Sequence, residues 1–147
     1  MSPKLKWYVL ETIDGQYEFS PKRTYDLEGS YAPGDIITTR IQLWNNRLGA
    51  EDVDDAINAK LVLFFKNYED NYLLKLCKVK FDGEEATSVN IDMDRGIFDL
   101  RTISGGANNG SDLNTDNYVE FELQIGPIPI NIKSELKGLI LDVEYDN

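Results

Sequence analysis

Carboxylates supply most of the side chains in this sequence that could bind a ligand or carry out a reaction. The run Glu51 to Asp55 places four acids in five residues, and Asp92-x-Asp94-x-Gly96 has the spacing with which a calcium loop opens. A complete loop has glycine at its sixth position and glutamate at its twelfth. Here the glycine is fifth and no glutamate is twelfth. We therefore predict no metal site, and we interpret the acid run as a solvated face.

The usual residues for other catalytic chemistry are scarce. The chain has no histidine, which excludes Ser-His-Asp and Cys-His catalysis and histidine-ligated zinc. Its one cysteine, Cys77, has Lys75 and Lys78 nearby but no other activating neighbour, so we predict a small core residue on a strand. Paired carboxylates can hydrolyse a glycosidic bond, but nothing singles out one pair among 26 acids. We predict a protein that is not an enzyme and uses no cofactor.

Aromatic rings beside amides and charges form two further candidate sites. Such groupings are typical both of sugar-binding sandwich modules and of protein interfaces, where Trp, Tyr and Arg act as anchors. A structural interpretation stands beside these two, in which Trp44 caps the core and the tyrosines lie along strand ends. For an interface, we expect Trp44 to fill a pocket on the partner and Arg47 to pair with a carboxylate. The interface candidates are Trp44, Asn45, Asn46, Arg47, Tyr68, Asp70 and Tyr72.

The stretch from Asp35 to Trp44 is the predicted strand that organises the fold. It follows the turn residues Pro33-Gly34 and ends at Asn45-Asn46. Apolar and polar residues alternate within it, and β-branched residues are frequent, which indicates a half-buried strand. We expect the face that carries Ile41 and Leu43 to point into the core.

Similar patterns predict further strands along the chain, separated by turns at intervals typical of all-β domains. We predict one domain over residues 1–147, an all-β, two-sheet antiparallel β-sandwich of about eight or nine strands, immunoglobulin-like or jelly-roll, with a closed barrel as the alternative. The low-apolar stretch from Ser104 to Asn117 is predicted to be a loop. The other strands are predicted at Lys4–Thr12, Gln16–Ser20, Asn58–Lys66, Tyr72–Phe81, Ser88–Met93, Ile97–Arg101, Tyr118–Ile125 and Leu139–Tyr145.

The charge balance limits the partners. With 15 basic and 26 acidic residues the formal charge is −11, which repels nucleic-acid phosphate and anionic lipid. We predict no nucleic acid and no membrane as partners, but other protein subunits in a homo- or hetero-oligomer. No signal-peptide pattern or transmembrane run is present, so we expect synthesis in the cytoplasm.

Three segments of the sequence resemble those of a known class of proteins. The run from Asp35 through Gly49, the segment Leu61 to Phe65, and the Asn- and Gly-rich loop before Tyr118 resemble small β-sandwich virion proteins of tailed bacteriophages: accessory capsid, neck and tail components. The resemblance implies an assembly role in a virion, without a cofactor, and no functional residue is carried over. The competing function is a carbohydrate- or calcium-binding recognition module.

Overall fold

Strands dominate the computed structural model, which describes residues 1–22, 24–27, 32–129 and 136–146. Two 3₁₀ helices, Tyr68–Leu76 and Thr115–Asn117, lie between strands. The strands are β1 Leu5–Ile13, β2 Gln16–Pro21, β3 Thr24–Leu27, β4 Ile37–Asn45, β5 Ala56–Phe65, β6 Cys77–Lys80, β7 Thr87–Ser88, β8 Asn90–Asp92, β9 Arg95–Ile103, β10 Tyr118–Ile125 and β11 Leu136–Asp146.

The strands form two antiparallel sheets, which confirms the predicted two-sheet β-sandwich. One sheet has the order β2-β1-β4-β10-β6-β7 and the other the order β3-β11-β5-β9-β8. As predicted, β4 is central in its sheet, between β1 and β10. The described residues hold eleven strands rather than eight or nine. A short strand near Tyr25, an option within the predicted loop over residues 22–34, is present as β3, and the predicted strand Ser88–Met93 is divided into β7 and β8. The immunoglobulin-like or jelly-roll topology stays a prediction.

The core lies between the two sheets and follows the predicted alternation. Ile41 and Leu43 of β4 are fully buried in the same apolar cluster as Leu61 and Leu63 of β5. Burying one such side chain stabilises the fold by roughly 1.5–3 kcal/mol. A shift of one residue in β4 would expose both of its core residues, so this pattern fixes the register.

The predicted strand Tyr72–Phe81 is wrong in its first half. Residues 68–76 form a 3₁₀ helix, and the strand begins only at Cys77. The Asn67 side chain caps the helix by accepting a hydrogen bond from the Glu69 N–H, at 3.4 Å. Leu73 and Leu74, both carried by this helix, are buried. The prediction that Cys77 is a core residue is confirmed, since it is fully buried.

One short segment joins the two sheets. β7 belongs to the six-stranded sheet and β8 to the five-stranded sheet, and only Val89 separates them. Val89 is buried, and its N–H donates to the carbonyl oxygen of Cys77 at 3.2 Å. The chain therefore crosses between the sheets at a fixed point before it reaches the turn at Met93.

Candidate functional site

The two groups of candidate residues lie at opposite ends of the sandwich. Trp44 pairs with Tyr118 at one end of β4 and β10, while Ile37 pairs with Ile125 at the other end. Ile125 also pairs with Cys77, which directly follows the 3₁₀ helix that carries Tyr68 and Tyr72. Seven residues of extended chain separate the ends by about 23 Å, at about 3.3 Å per residue.

The end near Trp44 is closed by the chain itself. Trp44 lies on the face of β4 opposite Ile41 and Leu43, yet it is only 1% exposed. The Tyr118 ring stacks on it with centroids 4.3 Å apart, and its indole N–H donates to Gln42 Oε1 at 2.8 Å. The expectation that Trp44 fills a pocket on a partner is therefore wrong for this conformation. Trp44 covers the outer face of the sheet.

Arg47 completes the enclosure of Trp44. Its guanidinium carbon lies 4.9 Å from the centroid of the Trp44 ring and 4.6 Å from that of Tyr8. Its Nε has no hydrogen-bond partner among the described residues. Arg47 is therefore held mainly by its position over two aromatic faces, a cation–π arrangement worth roughly 0.5–2 kcal/mol, and no carboxylate pairs with it in the described part of the chain.

Asn45 and Asn46 are buried, and their amides bind backbone rather than face solvent. Asn45 Nδ2 donates to the carbonyl oxygens of Asp54 and Ile103 at 3.0 and 3.2 Å. Asn46 Nδ2 donates to the carbonyl oxygens of Glu51 and Gly106, both at 2.7 Å. Neither residue is available as an interface side chain, because these contacts already use the amide groups.

Two further buried asparagines fix the long loop that follows β9. Asn108 donates to the carbonyl oxygen of Asn45 at 3.1 Å, and Asn117 donates to those of Ser104 and Gly105 at 3.1 and 3.0 Å. We call this region the asparagine end, defined by Asn45, Asn46, Asn108 and Asn117. The predicted loop at Ser104–Asn117 is confirmed, apart from the 3₁₀ turn Thr115–Asn117, and its backbone is bound to the sandwich at several points.

The acid run also contributes to this end. Asp52 Oδ1 accepts from the Ala107 N–H at 3.1 Å, and Asp55 Oδ1 accepts from the Gly105 N–H at 2.8 Å. All four acids of the run are exposed, as the interpretation as a solvated face expects, and two of them also bind backbone N–H groups of the loop. In the ranges that the structure describes, no group of three or more Asp, Glu, Cys or His side chains is placed to hold a metal ion.

A charged network crosses the outer face of the six-stranded sheet, and the sequence analysis did not find it. Arg40 contacts Glu120 at 2.6 Å and Asp82 at 3.0 Å, and Gln42 donates to the second oxygen of Glu120 at 2.5 Å. The hydrogen bond to Glu120 raises the pKa of Arg40. The sequence signal for this network is the spacing of Arg40, Gln42 and Trp44 at every second position, which places their side chains on one face of β4. Both carboxylate oxygens of Glu120 accept hydrogen bonds from side chains of β4. The network therefore links β4 to β10 within the sheet.

The end near the 3₁₀ helix is open. Tyr68 and Tyr72 are 69% and 60% exposed, and Met93 is 89% exposed at the turn between β8 and β9. Together with Ile91, which is half exposed, they line one cleft of about 620 Å³. We call this region the tyrosine end, defined by Tyr68, Tyr72, Ile91 and Met93. Asp70, the third candidate of this group, is half-buried.

Met93 has an unusual backbone conformation for its residue type. Its φ is +56°, in the left-handed region that disfavours side chains with a Cβ atom by roughly 1–2 kcal/mol. Glycine or asparagine would fit this turn more easily. The chain therefore exposes a large apolar side chain at a position where the fold alone favours a different residue.

Two of the four residues of the tyrosine end, Tyr68 and Tyr72, are among the interface candidates predicted from the sequence. Ile91 and Met93 are not, because both lie in the predicted strand Ser88–Met93. The available signal was Met93 itself, an apolar residue between Asp92 and Asp94 and three residues before Gly96. Its position beside the tyrosines depends on the crossing at Val89, which the sequence does not show.

A cleft of about 730 Å³ lies at the asparagine end. Its lining combines amide and hydroxyl groups with Leu48 and Leu113, which are 72% and 90% exposed. The described lining contains no aromatic ring. A sugar held by ring stacking therefore has no platform in this cleft.

Comparison with known proteins adds no relative. No family model, no curated protein and no solved structure matches the chain. Among the described residues, no helix is long and apolar enough to cross a membrane. Any functional conclusion therefore depends on the surfaces described above and on the sequence.

Proposed function

We propose that the protein is a non-enzymatic structural or adaptor subunit that acts through protein–protein contacts, as a component of a bacteriophage particle. The exposed tyrosine end is the observation that carries the contact function. The assignment to a particle is supported by the resemblance of three sequence segments to small β-sandwich virion proteins.

The composition of the tyrosine end matches that of a protein interface. Tyr and Met are enriched at interface centres, and a polar rim surrounds them. Here Tyr68, Tyr72 and Met93 form the apolar part, and Glu69 and Lys75 lie in the same lining. A patch that brings four large apolar side chains to solvent on two neighbouring elements is a common mark of an interaction site.

The tyrosine end is also held in place before any partner arrives. The Phe65 N–H donates to Asn71 Oδ1 at 2.8 Å, which ties the 3₁₀ helix to β5. Leu73 and Leu74 anchor the same helix in the core. Because the helix is already ordered, binding loses little backbone entropy, and this favours affinity.

A sugar-binding function fits this end less well. Two tyrosines could stack on sugar rings, but the oxygen of Asn71, the amide of the lining, already accepts the Phe65 N–H. Ile91 and Met93 offer no hydrogen bond to a sugar hydroxyl. A contact with apolar side chains of another protein uses all four residues.

The test is incorporation into particles. We expect the chain in purified particles at a fixed ratio to the main structural protein. The double variant Tyr72→Ser/Met93→Ser should be incorporated at least tenfold less, because each anchor contributes roughly 1–3 kcal/mol. Mass spectrometry of purified particles measures the ratio of the chain to the main structural protein, for the wild-type protein and for the double variant.

Leu113→Ser is the matched control, since Leu113 is equally exposed but lies at the asparagine end. We expect Leu113→Ser to be incorporated normally. The melting temperatures of this control and of the double variant should equal that of the wild-type protein. Particles without the chain, or normal incorporation of the double variant, would contradict the proposal.

A further inference from the structure

We propose that the tyrosine end binds a cationic segment of its partner protein, with lysine or arginine side chains against the acidic rim and an apolar side chain among Tyr68, Tyr72 and Met93. This inference rests on the proposed function and names the chemistry of the partner at the same site. It is carried by the charges around the cleft, the open tyrosine faces and the conformation of Met93.

Acidic side chains outnumber basic ones at the cleft. Glu69 and Asp94 are part of its lining, and Asp70 and Asp92 are next to them in the chain; Arg95, which follows Asp94, is paired with Glu144. Lys75 is the one cation of the described lining. This excess of carboxylates complements a basic segment and speeds its approach. A second copy of the chain is a poor occupant, because each copy carries a formal charge of −11.

The tyrosine rings add a second reason for a cationic partner. Both cation–aromatic contacts among the described residues belong to Arg47, at the other end of the sandwich. The Tyr68 and Tyr72 rings are more than half exposed, so their faces are open to a lysine or arginine from the partner. A guanidinium or ammonium group over such a face is attracted by the ring quadrupole.

Side chains rather than backbone should dominate this recognition. β8 is the edge strand of its sheet, but it has only three residues, Asn90–Asp92. A strand this short offers few hydrogen bonds to an added strand, and short charged edges discourage strand addition. The contact surface is therefore the cleft, with Ile91 and Met93 on one wall and the tyrosines on the other.

Methionine methyl NMR tests the inference directly. The chain has two methionines, and they report on different ends. Met93 lies in the cleft, while the Met1 carbonyl accepts from the Asp54 N–H, near Asn45 at the asparagine end. The Met1 signal therefore shows whether a basic peptide binds nonspecifically to the acidic surface.

Three peptides of equal length serve as probes. The first alternates lysine and leucine with serine spacers, the second has glutamate in place of lysine, and the third has serine in place of leucine. We expect the first peptide to shift the Met93 methyl signal and to leave Met1 unchanged. The apparent Kd should be at least tenfold weaker for each of the other two, and it should rise steeply with salt.

Met93→Gly separates a binding role from a structural one. Glycine accepts the left-handed backbone, so this variant should melt about 1–4 °C higher, provided that relief of strain exceeds the added freedom of the unfolded chain. Tyr72 ring signals then report binding, and we expect the affinity for the first peptide to fall at least fivefold. Unchanged affinity of this variant, at whatever melting temperature, would overturn the inference.

The two proposals can fail separately. If the first peptide shifts Met1 as much as Met93, or shifts neither, the cationic partner is wrong, and the particle experiment still decides the proposed function. If Met93 responds as expected while the double variant enters particles normally, the binding chemistry holds and the particle role of this end is wrong.

Discussion

At the asparagine end, Trp44 is 1% exposed beneath Tyr118 and Arg47, whereas at the tyrosine end Tyr72 presents 60% of its surface to solvent. Both rings stand beside asparagines and charged residues in the sequence. The difference lies in the chain segments that pack over each end. A loop of fourteen residues, 104–117, folds over the first end, whereas the turn at Met93 and Asp94 reaches the second end and leaves the tyrosines exposed.

Buried amides determine which end closes. At the asparagine end four asparagines donate to backbone carbonyls of chain segments far apart in sequence. Buried carbonyl groups need such partners, and an unpaired one costs about 1–3 kcal/mol. At the tyrosine end, Asn71 Oδ1 instead accepts a hydrogen bond from the Phe65 N–H, six residues earlier in the chain. At the asparagine end these amide contacts hold together the chain segments that surround Trp44.

The largest expected effect is at the closed end. Trp44→Ala should lower the free energy of unfolding by about 3–5 kcal/mol, because it leaves a cavity beneath Tyr118 and Arg47. Urea denaturation at neutral pH measures this loss. A loss below about 1 kcal/mol would show that Trp44 is not an integral part of the closed end.

An intermediate effect is expected where the open end meets the core, at Cys77. Burial raises the pKa of its thiol to about 12. Below the unfolded pKa, roughly 8.5, both states hold the proton. Above it the unfolded chain releases the proton and the folded chain retains it, so stability falls as pH rises towards 12.

Comparison with Cys77→Ala isolates this contribution. Between pH 8 and pH 10 the wild-type protein should lose about 1–2 kcal/mol more than the variant. Unfolding free energies at the two pH values provide the measurement. Equal losses would mean that the thiol is accessible, and therefore that the open end extends deeper than Leu73 and Leu74.

The smallest effect is expected at the tyrosine end. Tyr68→Ser and Tyr72→Ser should each change the free energy of unfolding by less than about 0.5 kcal/mol, since both rings are mainly in solvent. Urea denaturation at neutral pH measures the change in unfolding free energy for each variant. A loss comparable to that of Trp44→Ala would make the two ends equivalent and remove the basis of the proposed interface.

The sequence predicted those parts of the fold in which local pattern and burial agree. β10 has the predicted bounds, Tyr118–Ile125, because every second residue of it is buried. The inward face of β4 was predicted for the same reason. The strand over residues 72–76 was wrong, because this segment continues the 3₁₀ helix that begins at Tyr68 after the Asn67 cap.

The candidate sites were harder to predict, because exposure depends on distant segments. Trp44 is covered by Arg47 and Tyr118, and the loop that binds the adjacent asparagines begins sixty residues later. Nothing near Trp44 in the sequence indicates this. Tyr68 and Tyr72 are exposed, and their role in an interface stays a prediction. Their neighbours Ile91 and Met93 became recognisable only from the positions of β8 and β9.

The crossing at Val89 has a mechanical consequence. A partner that pulls on Met93 pulls on β8, which is continuous with β7 through this one buried residue. The six-stranded sheet resists through the pairing of β7 with β6, and the five-stranded sheet resists through the pairing of β8 with β9. The exposed turn at Met93 is therefore tied to both layers of the sandwich, directly through β8 and β9 and indirectly through Val89 and β7.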